Sequence, residues 1–239
     1  MFTEIEKVNV DGYGGFDGYA NRDSLSYRKQ YGLDSIPTLL RGTLRYKNYC
    51  HAWQVFVTLG LTDDSYKIEN SEDLTFAQIT EALLPSNIKG NSLQEKVAVL
   101  CNLESNGTIM NMISYTGIFE STKTNLKNAS PAQVLQHLLE QRWVLKEGDK
   151  DMIVMQHIFE YQMDGVTRQL TSSLVVKGDD TTNTAMAKTV GLPLAIAARH
   201  ILRGDIKLKG VQIPVKAELY VPILKELSEM GICFSESES

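Results

Sequence analysis

Apolar positions recur with two different spacings along this chain of 239 residues, and the spacings separate helical from strand-forming segments. Between about residues 73 and 142 the spacing is helical throughout. Within it, three hydroxyl residues each stand three positions before a Glu or Gln at a helix start, which is the spacing of a capping box. The three pairs are Thr75 with Gln78, Ser92 with Glu95, and Ser130 with Gln133, the last followed by Pro131 at the first helical position. The pattern predicts a compact all-helical segment.

Strand-forming patterns lie on both sides of that segment. Two runs rich in β-branched and apolar residues, 151–163 and 167–177, flank the dipeptide Asp164-Gly165, which is typical of a tight β-hairpin turn. Nearer the start of the chain, "PTLLRGTLRY" (37–46) predicts a strand, and "VNV" (8–10) predicts a shorter one. The glycine-rich stretch "DGYGGFDGYANRD" that follows is predicted to be a loop that shapes a pocket.

Further helices are predicted outside the helical segment. A short helix is predicted to begin at Asp23 or Ser24 and to end at Gly32, and a second helix is predicted over 47–60, capped by Gly60. A third helix is predicted over 182–204, with a break near 191–193, and a fourth, amphipathic one over 217–231. On the helix predicted over 47–60, Tyr49, Trp53 and Phe56 share one side. A short strand, "ICFS" (232–235), follows, and the tail "SESES" is the one low-complexity stretch.

Together these elements predict an α+β fold with a mixed or antiparallel sheet and a small all-helical insertion. We predict an α+β domain formed by residues 1–62 and 143–239, and a helical insert over 63–142. A chain of this length is long enough to bury a sizeable core, in one domain or two.

Composition and charge narrow the classes of function. The net charge of −5 argues against a general nucleic-acid binder, which needs a broad basic face. Three cysteines, Cys50, Cys101 and Cys233, are widely separated, which favours a reducing, cytoplasmic compartment. The first ten residues lack the apolar core of a signal peptide, and no apolar run is long enough to span a membrane. We therefore expect neither nucleic acid nor membrane as a partner.

The stretch from Asn21 to Lys47 differs from the rest of the chain in charge. It carries six Lys or Arg side chains against two carboxylates, although the whole chain is acidic. Arg28 and Lys29 are predicted to lie on the short exposed helix. A cation-rich stretch that is this short and this mixed with apolar residues suits a small anionic ligand.

Familiar catalytic and metal-binding motifs are missing from the sequence. If Gly12 and Gly14 were the first glycines of a dinucleotide fingerprint, the third would fall on Asp17, whose carboxylate would face the pyrophosphate. There is no phosphate-binding loop and no nucleophile elbow, and the four histidines, His51, His137, His157 and His200, have no metal-ligand spacing. We therefore predict no metal site, and the glycine-rich stretch is not a cofactor loop.

The predicted strand over 37–46 offers a more specific site. Because side chains alternate between the faces of a strand, Arg41, Thr43 and Arg45 share one face. Two planar guanidinium groups on either side of a hydroxyl suit a carboxylate, which an arginine binds through two parallel hydrogen bonds. The alternative is an ordinary solvated strand face, and the pattern alone leaves both open.

Several long segments resemble one family. "NRDSLSYRKQYGL" and "TLLRGTLRYKNYCHAW" strongly resemble the saccharopine dehydrogenase family. "EGDKDMIVMQH", "TAMAKTVGLPLAIA" and "GVQIPVKAELYVPILKELSEMGICFSE" are similar to the same family, in the same order. The resemblance covers nearly the whole chain from Val8 on and is loose only in the helical segment.

The resemblance implies a substrate and a set of binding residues. Enzymes of the family are oxidoreductases of lysine metabolism, and they interconvert saccharopine with glutamate and aminoadipate semialdehyde. The family's motif residues fall on Arg22, Thr43, Leu44 and Arg45, which are implied to bind the carboxylates of saccharopine. No catalytic residue is assigned, since Asp23 and Lys188 are only weak candidates for a general base and are better explained as structural.

The resemblance also implies a cofactor and a partner. The cofactor, NAD or NADP, is bound mainly by an N-terminal Rossmann domain of the same enzyme, which this chain lacks and which would precede residue 1. This chain would then be the C-terminal, substrate-binding portion, inactive alone, with that domain and a second copy of the enzyme as expected partners. Two alternatives stay open: a stand-alone, non-catalytic amino-acid-binding module, and a related carboxynorspermidine-type dehydrogenase.

Overall fold

The computed structural model describes residue 2 and residues 4–21 and 23–239. Arg22, one of the predicted substrate-binding residues, lies outside them. The chain divides into two compact units, each assembled from several segments. We call the first the helical unit, Met1–Asn9, Gly15–Tyr19 and Arg45–Val144, and the second the hairpin unit, Val10–Gly14, Ala20–Leu44 and Leu145–Ser239.

A three-stranded sheet contributes residues to both units. Its strands are β1 (Glu6–Val10), β2 (Gly14–Ala20) and β3 (Gly42–Tyr46), in the order β1-β2-β3. The prediction of a loop for the glycine-rich stretch is wrong, because most of that stretch forms β2. Gly12 and Gly14 have φ of 74° and 80°, a conformation that glycine adopts at little cost, so the chain can turn tightly between β1 and β2. The backbone N–H of Tyr13 closes that turn on the carbonyl of Val10 at 2.9 Å.

Strand β3 is shorter than the predicted 37–46. Pro37 has no backbone N–H to give to a sheet, and residues 37–41 form no strand. The N–H of Arg41 donates to the hydroxyl of Ser24 at 3.1 Å, so a side chain takes the place of a strand partner there. The short helix predicted after Asp23 is present as a single turn, α1 (Tyr27–Gln30).

Five helices make up most of the helical unit. They are α2 (Tyr49–Leu59), α3 (Phe76–Ala82), α4 (Leu93–Leu100), α5 (Thr108–Tyr115) and α6 (Pro131–Arg142), with a single 3-10 turn at Ser71–Asp73. Buried apolar residues from Ala52 to Leu139 form one core cluster. Gly60 ends α2 in the left-handed conformation, with φ of 79°, as predicted. The predicted insert, 63–142, falls inside this unit, and its bounds stay a prediction.

Two of the three predicted capping boxes are complete. At Thr75 and at Ser130 the hydroxyl accepts the N–H three residues on, and the Gln at that position accepts the cap's own N–H. At Ser92 only the first half forms, because the Glu95 carboxylate accepts the N–H of Asn91 instead, at 2.8 Å. The sequence spacing therefore located all three helix starts.

The hairpin unit is built on a second three-stranded sheet. Strands β4 (Met152–Met163) and β5 (Val166–Lys177) pair antiparallel along their whole length, and β6 (Ser235–Glu238) pairs antiparallel with β5. Asp164 and Gly165 occupy the turn with φ of 55° and 77°, which confirms the predicted hairpin. The sequence predicted the last strand over 232–235, but the strand that forms, β6, lies in the low-complexity tail.

Two long helices complete the hairpin unit. They are α7 (Ala185–Arg203) and α8 (Ala217–Glu229); α7 packs against α8, β4 and β5. The predicted break near 191–193 is wrong, since α7 runs without interruption through Pro193. An interior proline costs a helix about 3 kcal/mol. Ala185 and Ile196, on either side of Pro193, are buried, and burial of this kind offsets part of that cost.

The chain is α+β, as the sequence predicts, with eight helices and two three-stranded sheets among the described residues. None of the described helices combines the length and the apolar character that crossing a bilayer requires.

Candidate functional site

The cation-rich stretch contains arginines with structural partners of their own. The Arg28 guanidinium donates to three backbone carbonyls, those of Leu33 at 3.5 Å, Asp34 at 3.0 Å and Ile36. These hydrogen bonds hold the segment that follows α1 against the Arg28 side chain. Arg28 is half-buried rather than the exposed charge that a short helix suggested, whereas its neighbour Lys29 is exposed.

Arg41 also has a structural role within the hairpin unit. Its guanidinium carbon lies 3.7 Å from the centre of the Tyr27 ring, and its Nη1 donates to the carbonyl of Asp23 at 3.5 Å. A cation held this close to an aromatic face is attracted by the negative charge above the ring. Arg41 thus ties the strand-leading segment to α1, although the sequence placed it on one face with Thr43 and Arg45.

Thr43 and Leu44 lie in β3, at positions that belong to the hairpin unit. The Thr43 hydroxyl donates to the side-chain oxygen of Asn21 at 2.9 Å, so Thr43 is already tied to the Asn-Arg-Asp segment that the family resemblance singled out. Both residues are half-buried. Their role toward a ligand stays a prediction.

Arg45 is exposed and lies at the end of β3, at the start of the helical unit's long segment. Its guanidinium carbon is 5.5 Å from the centre of the Tyr49 ring. Burial raises the pKa of Tyr49, against a hydrogen bond and the positive charge of Arg45, which act to lower it. The phenol therefore stays neutral at physiological pH.

A buried carboxylate fixes the turn that connects Arg45 to α2. Asp17, in β2, is only 3% exposed, and its Oδ2 accepts the backbone N–H of Asn48 at 2.8 Å. Asn48 is left-handed, with φ of 75°, which lets the chain change direction between β3 and α2. The neighbouring Cys50 is fully buried, and burial, followed by the charge of Asp17, raises the pKa of its thiol. Cys50 is therefore a neutral core residue.

An open cavity of about 710 Å³ lies beside Arg45, between α2 and α5. Its walls are mainly aromatic. They include Tyr46, Tyr49, Trp53, Phe56, Tyr115 and Trp143. Tyr49 and Trp53 are stacked, with ring centres 5.7 Å apart, and the ring centres of Trp53 and Trp143 are 6.1 Å apart.

A second, smaller hollow is also lined by Trp53 and Trp143. It measures about 600 Å³ and is lined mainly by α6 residues, among them Leu135, Leu139 and Glu140. The two hollows share both tryptophans but differ in charge, since Arg45 lines one and Glu140 the other.

The sequence analysis named Arg45 as a binding residue, which stays a prediction, and it did not foresee the cavity that Arg45 lines. The shared side of Tyr49, Trp53 and Phe56 on the predicted helix was the available signal, because that helix begins four residues after Arg45. The α5 wall could not be foreseen, since nothing local in the sequence says which helix packs on α2. Asp17 was likewise considered only as a failed fingerprint position.

The weak general-base candidates have structural partners. The Asp23 carboxylate accepts the N–H of Ser26 at 3.0 Å, and this hydrogen bonding lowers its pKa. Lys188 pairs with Asp179 at 2.6 Å. His200, on α7, lies between two carboxylates: Asp205, which follows α7, at 2.9 Å, and Glu226, on α8, at 2.7 Å.

Among the described residues, no group of three His, Cys, Asp or Glu side chains is arranged to hold a metal ion.

Comparison with known proteins adds independent information. Residues 1–232 match the family model "Saccharopine dehydrogenase C-terminal domain". The chain is 36% identical over 223 residues to the mitochondrial alpha-aminoadipic semialdehyde synthase of Rattus norvegicus, covering 92% of this chain and 24% of that protein. It is 30% identical over 227 residues to the saccharopine dehydrogenase [NADP(+), L-glutamate-forming] of Pyricularia oryzae, covering 90% of this chain and 49% of that protein.

A solved structure is also similar. The apo histidine-tagged saccharopine dehydrogenase (L-Glu forming) from Saccharomyces cerevisiae matches with a TM-score of 0.86 and 27% sequence identity, covering 100% of this chain and 55% of that one. The chain thus spans about a quarter of the length of the first relative and about half of the length of the two fungal ones.

Proposed function

Because the chain belongs to the saccharopine dehydrogenase C-terminal domain family, we propose that it is the substrate-binding portion of an NAD(P)-dependent oxidoreductase of lysine metabolism. The whole enzyme would interconvert saccharopine with glutamate and aminoadipate semialdehyde. The proposal rests on a family match that covers residues 1–232 and on the named activities of the longer relatives.

Arg45 is the structural observation that carries the proposal. Arg45 is exposed near the end of β3 and lines an aromatic cavity, and the buried Asp17 holds the turn that follows at Asn48. A guanidinium binds a carboxylate through two parallel N–H···O hydrogen bonds. Saccharopine carries three carboxylates, and Arg45 would hold one of them.

The remaining proposed contacts come from the family motif. Arg22, Thr43 and Leu44 would bind the other parts of saccharopine, Arg22 through its charge and Thr43 through its hydroxyl. The hydrogen bond from Thr43 to Asn21 supports a link between β3 and the motif segment, because Asn21 directly precedes Arg22. No described side chain has the contacts of a general base, and we assign none.

The cofactor is proposed to bind mainly outside this chain. The fungal relative is named an NADP(+) enzyme. In this chain the glycine-rich stretch forms a hairpin between β1 and β2, not the strand-turn-helix that cradles a pyrophosphate, so the described residues do not fit a dinucleotide there. We therefore propose that an N-terminal Rossmann domain of the same enzyme binds NAD or NADP and is the partner of this chain. A homodimer and a cytoplasmic location stay predictions; the rat relative is named a mitochondrial protein.

Calorimetric titration of the chain with saccharopine tests the proposal. Carboxynorspermidine is the matched comparison, because it has fewer carboxylates and more amines than saccharopine. We expect heat from saccharopine binding and a dissociation constant at least about tenfold higher for carboxynorspermidine. Equal or tighter binding of carboxynorspermidine would overturn the assignment in favour of the related dehydrogenase.

A further inference from the structure

We propose that the hollow lined mainly by α6 binds an elongated organic cation, an alkylammonium, with its apolar chain along the helix and its charged head beside Glu140 and Trp143. Among the described lining residues, this hollow and the cavity beside Arg45 have only Trp53 and Trp143 in common. The inference goes beyond the proposed function and does not depend on it.

One face of α6 forms most of the hollow. The positions that line it follow the helical repeat, and they are Ala132, Leu135, Gln136, Leu139 and Glu140, with Trp143 directly after the helix. Residues three and four apart lie on the same side of a helix. Because each residue adds about 1.5 Å to the length of a helix, this face extends about 12 Å from Ala132 to Glu140. Its shape therefore suits an elongated ligand.

The floor of the hollow is apolar and already packed. Leu61, Leu135 and Leu139 are buried members of the core cluster of the helical unit. Above them Trp143 remains 52% exposed, and its ring centre lies 6.1 Å from that of Trp53. The volume of about 600 Å³ falls within the range of roughly 300–1,000 Å³ that is common for small-molecule sites. An apolar chain bound here would remove indole surface from water, which is the main source of affinity for such a group.

The charge at one end of the hollow favours a cation. Glu140 is the charged residue among the lining residues that the structure describes. Its Oε1 accepts a hydrogen bond from the neutral side-chain amide of Gln136 at 2.7 Å, and no described Lys, Arg or His forms an ion pair with it. Arg142, the cation nearest to it in sequence, is paired with Glu120 instead. Within the described part of the chain, the negative charge of Glu140 is therefore not balanced by a cation.

The end of the helix and the neighbouring indole act in the same direction. Glu140 lies in the last turn of α6, where carbonyl groups without helical partners make the helix end negative and favour cations. Trp143 follows three residues later, and indole is the aromatic ring whose face attracts a cation most strongly. An ammonium head placed there is attracted by the carboxylate, the helix end and the ring, whereas a carboxylate head is repelled by Glu140.

Intrinsic tryptophan fluorescence provides a direct measurement. The chain has two tryptophans, and both line the hollow, so the emission reports on it. The probes are octyltrimethylammonium, 1-octanol and octanoate, which share an eight-carbon chain, differ in charge and are kept below the concentrations at which they form micelles. We expect a saturable change of the emission, with octyltrimethylammonium binding at least about tenfold more tightly than octanoate and 1-octanol in between.

Two charge variants separate Glu140 from the net charge of −5, which attracts cations to the whole surface. Glu140→Gln should weaken octyltrimethylammonium at least about threefold and leave 1-octanol nearly unchanged, because only the charge is lost. Glu104→Gln is the matched control, since Glu104 is an exposed glutamate of the same unit that lines neither hollow. It should leave the affinity for octyltrimethylammonium within about 1.5-fold.

Two apolar variants identify which of the two hollows is occupied. Ala132→Leu places a larger side chain on the α6 face and should weaken all three probes at least about threefold, because it fills space that the apolar chain needs. Met112→Ala shortens a side chain that lines the cavity beside Arg45 and not this hollow. It should leave the affinity for octyltrimethylammonium unchanged.

Four results would overturn the proposal. They are an emission that does not saturate with octyltrimethylammonium, equal affinity for the three probes, an equal loss of affinity in Glu140→Gln and Glu104→Gln, and a loss in Met112→Ala as large as that in Ala132→Leu. Circular dichroism of each variant verifies that the helices are retained. All four substituted positions are exposed or half-buried and lie outside the buried core, so the variants are expected to fold.

Discussion

Arg28 and Arg45 belong to the same cation-rich stretch, but their guanidinium groups are used differently. Arg28 satisfies three backbone carbonyls of the segment that follows α1, which leaves it no free fork for a ligand. Arg45 stands at the mouth of a cavity. The sequence shows the charges of both, but it does not show that the guanidinium of Arg28 is bound by backbone carbonyls.

Arg28→Met should lower stability, although its side chain touches no proposed ligand. Methionine keeps most of the apolar stem but leaves the carbonyls of Leu33, Asp34 and Ile36 without their donor. We expect a loss on the order of 1 kcal/mol, which lowers Tm by about 2–4 °C in a chain of this size. Differential scanning calorimetry measures it, with the exposed Lys29→Met as control. Equal melting temperatures for the two variants would contradict the structural role.

Arg45→Met should weaken saccharopine binding with little change in Tm. A charge-assisted hydrogen bond to a carboxylate contributes about 1.5–3 kcal/mol, so we expect a loss of affinity of at least about tenfold. Lys29→Met removes a charge from the same stretch and should leave the affinity within about twofold, because an exposed charge contributes little. Calorimetric titration compares the two variants. If Lys29→Met weakened binding as much as Arg45→Met, the site would be a diffuse positive patch.

At the scale of the elements, local signals located the helix starts and the hairpin turn well. Capping boxes and Asp-Gly turns are short-range features, and their partners lie within three residues. The errors came from segments whose fate depends on distant residues. The glycine-rich stretch becomes β2 because β1 and β3 flank it, and α7 continues through Pro193 because its other residues pack on β4, β5 and α8.

The complete capping box at Ser130 should contribute more stability than the half box at Ser92. The Ser130 hydroxyl is fully buried, accepts the N–H of Gln133, and donates to Asp64. We expect Ser130→Ala to cost about 1–2 kcal/mol and Ser92→Ala about 0.5–1 kcal/mol. Urea unfolding of both variants, followed by tryptophan emission, measures the difference. A larger cost for Ser92→Ala would show that the cap geometry does not set the stability.

The pairing of β6 should depend on pH through Glu238. The hydroxyl of Tyr161 and then the guanidinium of Arg168 donate to its Oε1, at 2.6 and 3.0 Å, and these bonds lower the pKa of Glu238. A carboxylate whose pKa is lower in the folded state stabilises that state above its unfolded pKa, about 4.3, and loses the effect as the pH falls through the folded value.

We therefore expect the Ser239 amide, which bonds to the carbonyl of Gln169, to exchange with solvent more freely below about pH 4.3. NMR hydrogen exchange measures this as the acceleration beyond the intrinsic pH dependence of amide exchange. Glu238→Gln should show weakened pairing already at neutral pH. Protection that is unchanged in Glu238→Gln would remove this carboxylate as the cause.

At the scale of the whole molecule, the 239-residue chain should not form NADPH from saccharopine and NADP. The reason is that its described residues lack a strand-turn-helix for the dinucleotide, since Gly12 and Gly14 lie in the turn of a hairpin. Absorbance at 340 nm measures the product, with the Saccharomyces cerevisiae saccharopine dehydrogenase as the positive control. Saccharopine-dependent NADPH formation by the purified chain would show that it binds the cofactor itself.

The division into two units has a consequence for the order in which the chain folds. The core of the helical unit is formed by residues between Ala52 and Leu139, so its contacts close within one continuous stretch. The hairpin unit must instead join Ala20–Leu44 with Leu145–Ser239 across that whole stretch. Closing a long loop is slow when the loop is flexible and faster when it is already compact. The helices are therefore expected to condense first during synthesis, and their collapse shortens the distance over which the two parts of the hairpin unit must find each other.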